Sequence, residues 1–290
     1  MPELPRMKIG VVTLIWTGGF SRSDLDLIPK LKERGFDGVE IIAFDTGGFP
    51  AAEVRKATQE AGLQCNFTTA FTGDTGFVSE DATARRRAAA YARECIQMAA
   101  EMGSRLFCGP LYAPIGYMPG RRRTEEEWKQ VVEGLVAAGE YAEKFQVTLG
   151  VEPLNRYESY FLNVAADAAA LCDEVNRPNV GVLFDFYHAN IEEKDIPAAI
   201  RLLGKRIVDV HASENDRGVP GSGHTDWPGA IRALKQAGYG GMLVIEGFGF
   251  RIQEIAAATC IWRDVASSPE AVAFEGLKYL REQVAACSAA

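Results

Sequence analysis

Eight times along this chain a short apolar run rich in β-branched residues is followed by a longer segment with helical spacing, and this alternation constrains the fold more than any other feature. The runs fall at 8–16, 38–42, 64–70, 105–109, 147–152, 180–185, 206–211 and 241–246. Short continuous apolar runs of this kind suit strands that are buried on both faces. Helices are expected over about 23–34, 50–61, 81–102, 124–145, 164–175 and 195–203, again from 226, and through most of the chain after 246. The punctuation agrees. Gly35 and Gly103 stand where helices should stop, Thr124 and Glu127 have capping-box spacing, and Asp226 precedes Pro228 at a helix start. Regular strand–helix alternation predicts a parallel sheet with helices outside it. Eight such pairs without a Pro/Ser-rich linker favour a single α/β domain over 1–290, a closed (β/α)8 TIM barrel with an extra C-terminal helix. An open doubly wound sheet is the competing architecture.

Bulk properties remove several function classes. The net charge of −8, from 39 acidic and 31 basic residues, gives no basic face for nucleic acid. The run Arg121–Arg123 is followed at once by Glu125–Glu127 and reads as a solvated loop entering a helix. Six cysteines show neither a C-x-x-C pair nor a framework spacing, so free thiols in a reducing cytoplasm are expected. No apolar run approaches the length of a membrane helix, and the first residues lack a signal-peptide pattern.

Four consecutive strands end on a residue able to bind a metal: Glu152, Asp185, His211 and Glu246. Steps of 33, 26 and 35 residues separate them, one strand–helix unit each. They therefore belong at the C-terminal mouth of adjacent strands, where barrel enzymes carry their sites. A carboxylate ending an apolar run such as VGVLFD is costly to bury alone, and three that converge repel one another. A divalent cation resolves both problems. An oxygen-rich set with one imidazole and no thiolate favours Mn²⁺, Mg²⁺ or Co²⁺. The opposing reading is that these acids pair with arginines or cap the helices that follow. Glu158, His188 and Arg217 lie in the loops just past these strands, where a substrate would sit. His224 either contacts substrate or orients the loop before the helix at 226.

With VEPLNRYE at 151–158, DFYHANIEE at 185–193, DVHASENDRGVPGSG at 209–223, VIEGF at 244–248 and IWRD at 261–264, the chain resembles the ketose 3-epimerases. This is the D-tagatose and D-psicose (D-allulose) 3-epimerase group of the xylose isomerase-like superfamily. The resemblance runs through the whole chain and is looser in the opening third, where GFDGVEI at 35–41 carries it. It implies epimerisation at C3 of a free ketose such as D-tagatose, D-fructose, D-psicose or L-ribulose, through a cis-enediolate. It implies a divalent metal, Mn²⁺ in most members, that grips O2 and O3 of the sugar, with Glu152 and Glu246 as the acid–base pair. Glu158, His188 and Arg217 match residues that bind the O1/O2 end. Phe248 matches an apolar wall at the far end, and Trp16, Cys65 and Pro110 are its expected neighbours by strand position. The resemblance also implies a homodimer or homotetramer. The loops IWTGGFS and CGPLYAPIGYMPG depart from the family pattern and face the far end of the sugar.

Three other readings stand beside this one. An aldose–ketose isomerase of the hydroxypyruvate or rhamnose isomerase type would use the same metal but move a proton between C1 and C2. A non-catalytic sugar-binding barrel would only hold its ligand, or an inosose-dehydratase-like barrel of the same superfamily would expel water. An endonuclease-IV-like repair enzyme needs a histidine-rich multi-zinc site and a basic DNA face, and three histidines with a charge of −8 oppose it.

Overall fold

All eight expected strands form, and they close on themselves. The computed structural model of the protein describes residues 7–287. Its strands are β1 Lys8–Val12, β2 Gly38–Ile42, β3 Gln64–Thr68, β4 Leu106–Gly109, β5 Thr148–Val151, β6 Val180–Asp185, β7 Ile207–Ala212 and β8 Met242–Ile245. Each pairs in parallel with the next, and β1 pairs with β8 to complete the barrel. The helices are α1 Leu27–Glu33, α2 Ala51–Ala61, α3 Ala82–Glu101, α4 Glu125–Glu143, α5 Ala165–Val175, α6 Phe186–Glu192, α7 Ile196–Leu203, α8 Trp227–Gln236, α9 Gln253–Ala258 and α10 Pro269–Ala286.

Their starts follow local chemistry. Thr124 Oγ1 accepts from the Glu127 backbone N–H, and the Glu127 carboxylate accepts from the Thr124 N–H. That carboxylate also takes both Arg121 Nη groups and the Tyr160 hydroxyl. Arg123 bonds Asp167 and lies over the Trp128 ring. Two members of the arginine run are thus loop fasteners. Asp195, Asp226 and Ser268 cap α7, α8 and α10, each with proline in the first turn.

Two departures from the expected elements matter for the site. The first strand ends at Val12, because Thr13–Ile15 wind into a 3₁₀ turn whose Thr13 hydroxyl accepts from the Ile42 N–H. Helix α6 has no counterpart in the periodicity. It begins because Asp185 accepts from the His188 N–H and caps it.

The outer faces of the strands and the inner faces of the helices share one apolar core, and the barrel lumen holds smaller clusters. Met242 fills the lower lumen over Gly10 and Gly38, which pair in register. On the other side Val208 packs over Gly150 and Gly181, also paired. A Cβ on Gly181 would fall 2.4 Å from Val208 Cγ1 and 2.5 Å from the Arg206 carbonyl oxygen. The backbone atom cannot step aside as a side chain can. Gly181→Ala is therefore expected to cost about 1–3 kcal/mol, the usual penalty for overpacking. Urea unfolding measures it, and an unchanged midpoint would show that the lumen is looser than these distances require.

Candidate active site

The C-terminal strand ends put the four expected ligands around one point. Asp185 ends β6, His211 lies next to the end of β7, and Glu152 and Glu246 follow β5 and β8 directly. All four are at least nine-tenths buried. His211 Nδ1 is 3.3 Å from Glu246 Oε1, 3.7 Å from Asp185 Oδ2 and 3.9 Å from Glu152 Oε1. This nitrogen is buried and has no hydrogen-bond partner, so a lone imidazole nitrogen faces three carboxylates. A buried polar atom without a partner is costly. A divalent cation at this point would satisfy it and offset the mutual repulsion of the acids, so the donor set fits a metal ion. One atom from each of Glu152, Asp185 and His211 already lies within 4.8 Å of the other two.

Electrostatics record the same crowding. Burial raises the Glu152 carboxyl well above the usual range; Glu246 and Asp185 add to this, while His211 opposes it. Burial also works against the Glu246 charge, yet Arg217 and His211 outweigh it and hold that carboxyl down to about 2. For His211 burial opposes the charge, but Glu40 and Glu246 push its pKa well up. Arg217 bonds both Glu246 and Asp185. The opposing sequence reading thus holds in part: Asp185 caps a helix and Glu246 meets an arginine, and both still face His211.

Above these residues lies a cavity of about 270 Å³. Glu158, His188, Arg217, Phe248 and Pro110 line it, along with Glu152, His211 and Glu246. The Asp185 cap is what aims His188 inward, since it starts the turn that carries the ring. His188 Nδ1 accepts from the Asn155 backbone N–H at 3.0 Å, which leaves the ring proton on Nε2. Burial lowers the His188 pKa to about 3, so the ring is neutral. Its Nε2 lies 3.6 Å from Glu152 Oε1 and 3.4 Å from Arg217 Nη2. Arg217 adopts a left-handed φ of +65°. Its guanidinium carbon lies 3.9 Å from the Tyr187 ring centre and 4.9 Å from that of Phe248. Glu214 anchors the loop that holds it, accepting from the Gly221 and Thr225 N–H groups and the Trp227 indole.

Two expected wall residues lie elsewhere. Trp16 follows the 3₁₀ turn, which directs it toward α10; its ring packs 6.3 Å from that of Phe274, and Leu14 lines the cavity instead. Cys65 is the second residue of β3, at the end of the strand remote from the mouth. There it borders a separate cavity with Gln64, Arg105 and Thr148, while Thr68, Thr69 and Ala70 meet the site cavity. Cys65 is on the expected strand but at its far end, whereas Trp16 lies past the end of β1. His224 is outside the cavity lining and lies 3.1 Å from Asn190 Oδ1, as a loop fastener would.

Sequence reasoning passed over Glu40, Asn155, Tyr187 and Glu214. Asn155 sits inside the quoted VEPLNRYE run, where its neighbour spacing was the available signal. Glu40 ends no apolar run, and only the barrel brings it to His211.

Comparison with known proteins bears on what such a site does. Residues 28–283 match the xylose isomerase-like TIM barrel family. A probable ketose 3-epimerase of Synechocystis sp. is 33% identical over 97% of this chain and 98% of its own length. A ketose 3-epimerase of Arthrobacter globiformis is 30% identical over 97% of this chain and 98% of its own. The chain belongs to the ketose 3-epimerase family. The family is one of isomerase-class enzymes on the xylose isomerase-like barrel. Among solved structures, that of an L-ribulose 3-epimerase superposes with a TM-score of 0.92 at 27% identity, covering 97% of this chain and 95% of that one. Among the described residues, no helix is long and apolar enough to cross a membrane.

Proposed function

We propose that this protein epimerises free ketoses at C3, using a divalent metal held by Glu152, Asp185, His211 and Glu246. One observation carries the reading within this family. Glu152 and Glu246 come from β5 and β8, flank the Asp185–His211 pair of β6 and β7, and face one cavity together. Inversion at C3 requires a proton to leave one face of the carbon and another to arrive on the opposite face. Two carboxylates on either side of a bound sugar meet that need; a single base would return the proton to the face it left. When bound, the ion supplies a Lewis acid that lowers the cost of charge developing at the ketone oxygen. Mn²⁺ is our first choice, with Mg²⁺ or Co²⁺ as substitutes, because the donors are mainly carboxylate oxygen.

The remaining residues orient the sugar. His188, neutral and with its proton on Nε2, offers a fixed donor to the O1/O2 end, with Glu158 and Arg217 beside it. Phe248, Pro110, Leu14 and Ile255 offer an apolar surface to the other end. Arg217 is the only lysine or arginine lining the cavity among the described residues, and Asp185 and Glu246 already engage it. A phosphate group would find no free cation there, which favours an unphosphorylated substrate. Hexuloses and pentuloses both remain within reach of this cavity. Assembly as a homodimer or homotetramer is our expectation, and sedimentation analysis tests it.

Incubating D-fructose with Mn²⁺-loaded protein tests the reaction. D-psicose as the sole product supports C3 epimerisation; glucose or mannose would instead mean C1–C2 isomerisation. Dehydration of inosose in the same format would point to a dehydratase. His188→Ala removes the fixed donor, and losing one buried hydrogen bond to substrate costs about 1–3 kcal/mol, roughly a 5- to 150-fold fall in kcat/KM. Steady-state kinetics on D-fructose measure it. An unchanged kcat/KM would remove His188 from the substrate-binding set.

A further inference from the structure

Below the metal ligands, inside the barrel, lies a group of polar side chains that the proposed reaction does not use. Glu40 of β2, Asn66 of β3, Cys108 of β4 and Asp209 of β7 are all 2% exposed or less. Glu40 is absent from the cavity lining and lies beneath His211. Its Oε1 lies 2.7 Å from His211 Nε2, and its Oε2 is 3.6 Å from Cys108 Sγ. Asp209 completes the group, 3.7 Å from the same sulfur and 3.4 Å from Asn66 Nδ2. A buried carboxylate in a barrel lumen is expensive, and an apolar side chain would fill the space at lower cost.

We propose that Glu40 is the positioning residue of the metal site: it selects the ring tautomer and orientation in which His211 presents Nδ1 to the ion. The two ring nitrogens have separate tasks. Nε2 meets Glu40, while Nδ1 faces Glu152, Asp185 and Glu246 with no hydrogen-bond partner. An imidazole that binds a metal must offer a bare nitrogen, and its proton then sits on the other one. A carboxylate can only accept, so Glu40 requires the proton on Nε2 and leaves Nδ1 bare. Without Glu40, the Cys108 sulfur and the Asp209 carboxylate, each within 4.8 Å of a His211 ring nitrogen, would remain, and neither is hydrogen-bonded to Nε2 in this structure. The ring could then turn over or take the other tautomer, with an N–H aimed at the cation.

One atom from each of Glu40, Cys108, Asp209 and His211 lies within 4.8 Å of the others, and this set could be read as a second cation site. The Glu40–His211 contact argues against that. At 2.7 Å it is a direct hydrogen bond. An ion bridging the pair, at about 2 Å from each donor, would hold them farther apart.

The inference rests on the metal-site reading above, and its test uses no turnover. Metal-stripped wild type, Glu40→Gln and Glu40→Leu are titrated with Mn²⁺ by calorimetry. The ring nitrogens are then followed by ¹⁵N NMR in the Mg²⁺-loaded proteins, with three histidines to assign. Wild type should bind one ion, with the His211 proton on Nε2. Both variants should bind about 10- to 100-fold more weakly, as losses of such outer partners do. Their His211 signals should leave the wild-type pattern. If Glu40→Leu fails to fold, Glu40→Gln, which keeps shape and one acceptor oxygen, decides alone, with about a tenfold loss expected. Variants that melt lower yet bind Mn²⁺ as tightly, with unchanged His211 signals, would make Glu40 merely structural and overturn the proposal. Two ions bound by wild type, with one lost in the variants, would replace it by the second-site reading. A wild type that binds no ion would overturn the metal reading itself.

Discussion

Glu152→Gln and Glu246→Gln are each expected to lower the rate of C3 epimerisation by at least about 10²–10⁴-fold, the usual contribution of a general acid or base. Each change keeps side-chain shape and removes the capacity to take up a proton. Each also withdraws one carboxylate from a point where three converge on His211, so metal affinity should fall together with turnover. Folding should survive, because relieving crowded buried charge offsets part of what is lost. For Glu246→Gln, Arg217 keeps Asp185 and the Ser213 hydroxyl as partners. Steady-state conversion of D-fructose, measured at saturating Mn²⁺ with circular dichroism as the folding control, tests both. Near-normal turnover by either purified variant would remove that residue from the acid–base pair. Exchange of the C3 proton with solvent separates the two carboxylates. A variant that retains exchange from one epimer only has lost the group serving the other face.

Removing the metal is expected to abolish turnover and to lower thermal stability together. Without a cation the site holds three buried carboxylates beside an imidazole nitrogen that has no partner. A ligand that binds only the folded state stabilises it by about 2.7 kcal/mol at 100 times its Kd. For a chain of this size that is a rise in Tm of roughly 4–5 °C. Chelation followed by dialysis, then melting curves with and without Mn²⁺, Mg²⁺ or Co²⁺, measures it. Activity should return with the same ions that raise Tm. Full activity after chelation, with no ion shifting Tm, would refute the metal centre.

Much of the fold was legible because its signals are local. The apolar runs and capping residues each act within a few positions, and the barrel follows from their repetition. Helix α6 escaped because it is only Phe186–Glu192 and exists through one cap, that of Asp185 on His188. The expected strand over 8–16 ran too long because apolar residues continue through the 3₁₀ turn, and periodicity does not separate a buried strand from a buried turn that follows it. Trp16 was misplaced because that turn carries it past the end of β1, and Cys65 because membership of the right strand does not say how far along it the mouth lies.

The four candidate ligands could be read from the sequence alone, because parallel strands start and end in the same sense, and residues ending consecutive strands must meet at one rim. Spacing therefore determined Glu152, Asp185, His211 and Glu246 as neighbours before any coordinates. What only the tertiary structure decided was how each of them is held. Glu40 is 171 residues from His211 in the chain and 2.7 Å from it in space. Asn155 sets the His188 tautomer from the neighbouring loop, and Tyr187 and Phe248 confine the Arg217 guanidinium between them. These partners arise from closure of the barrel. Contacts across the lumen and between loops depend on which residues face inward at each level, and no spacing along the chain records that.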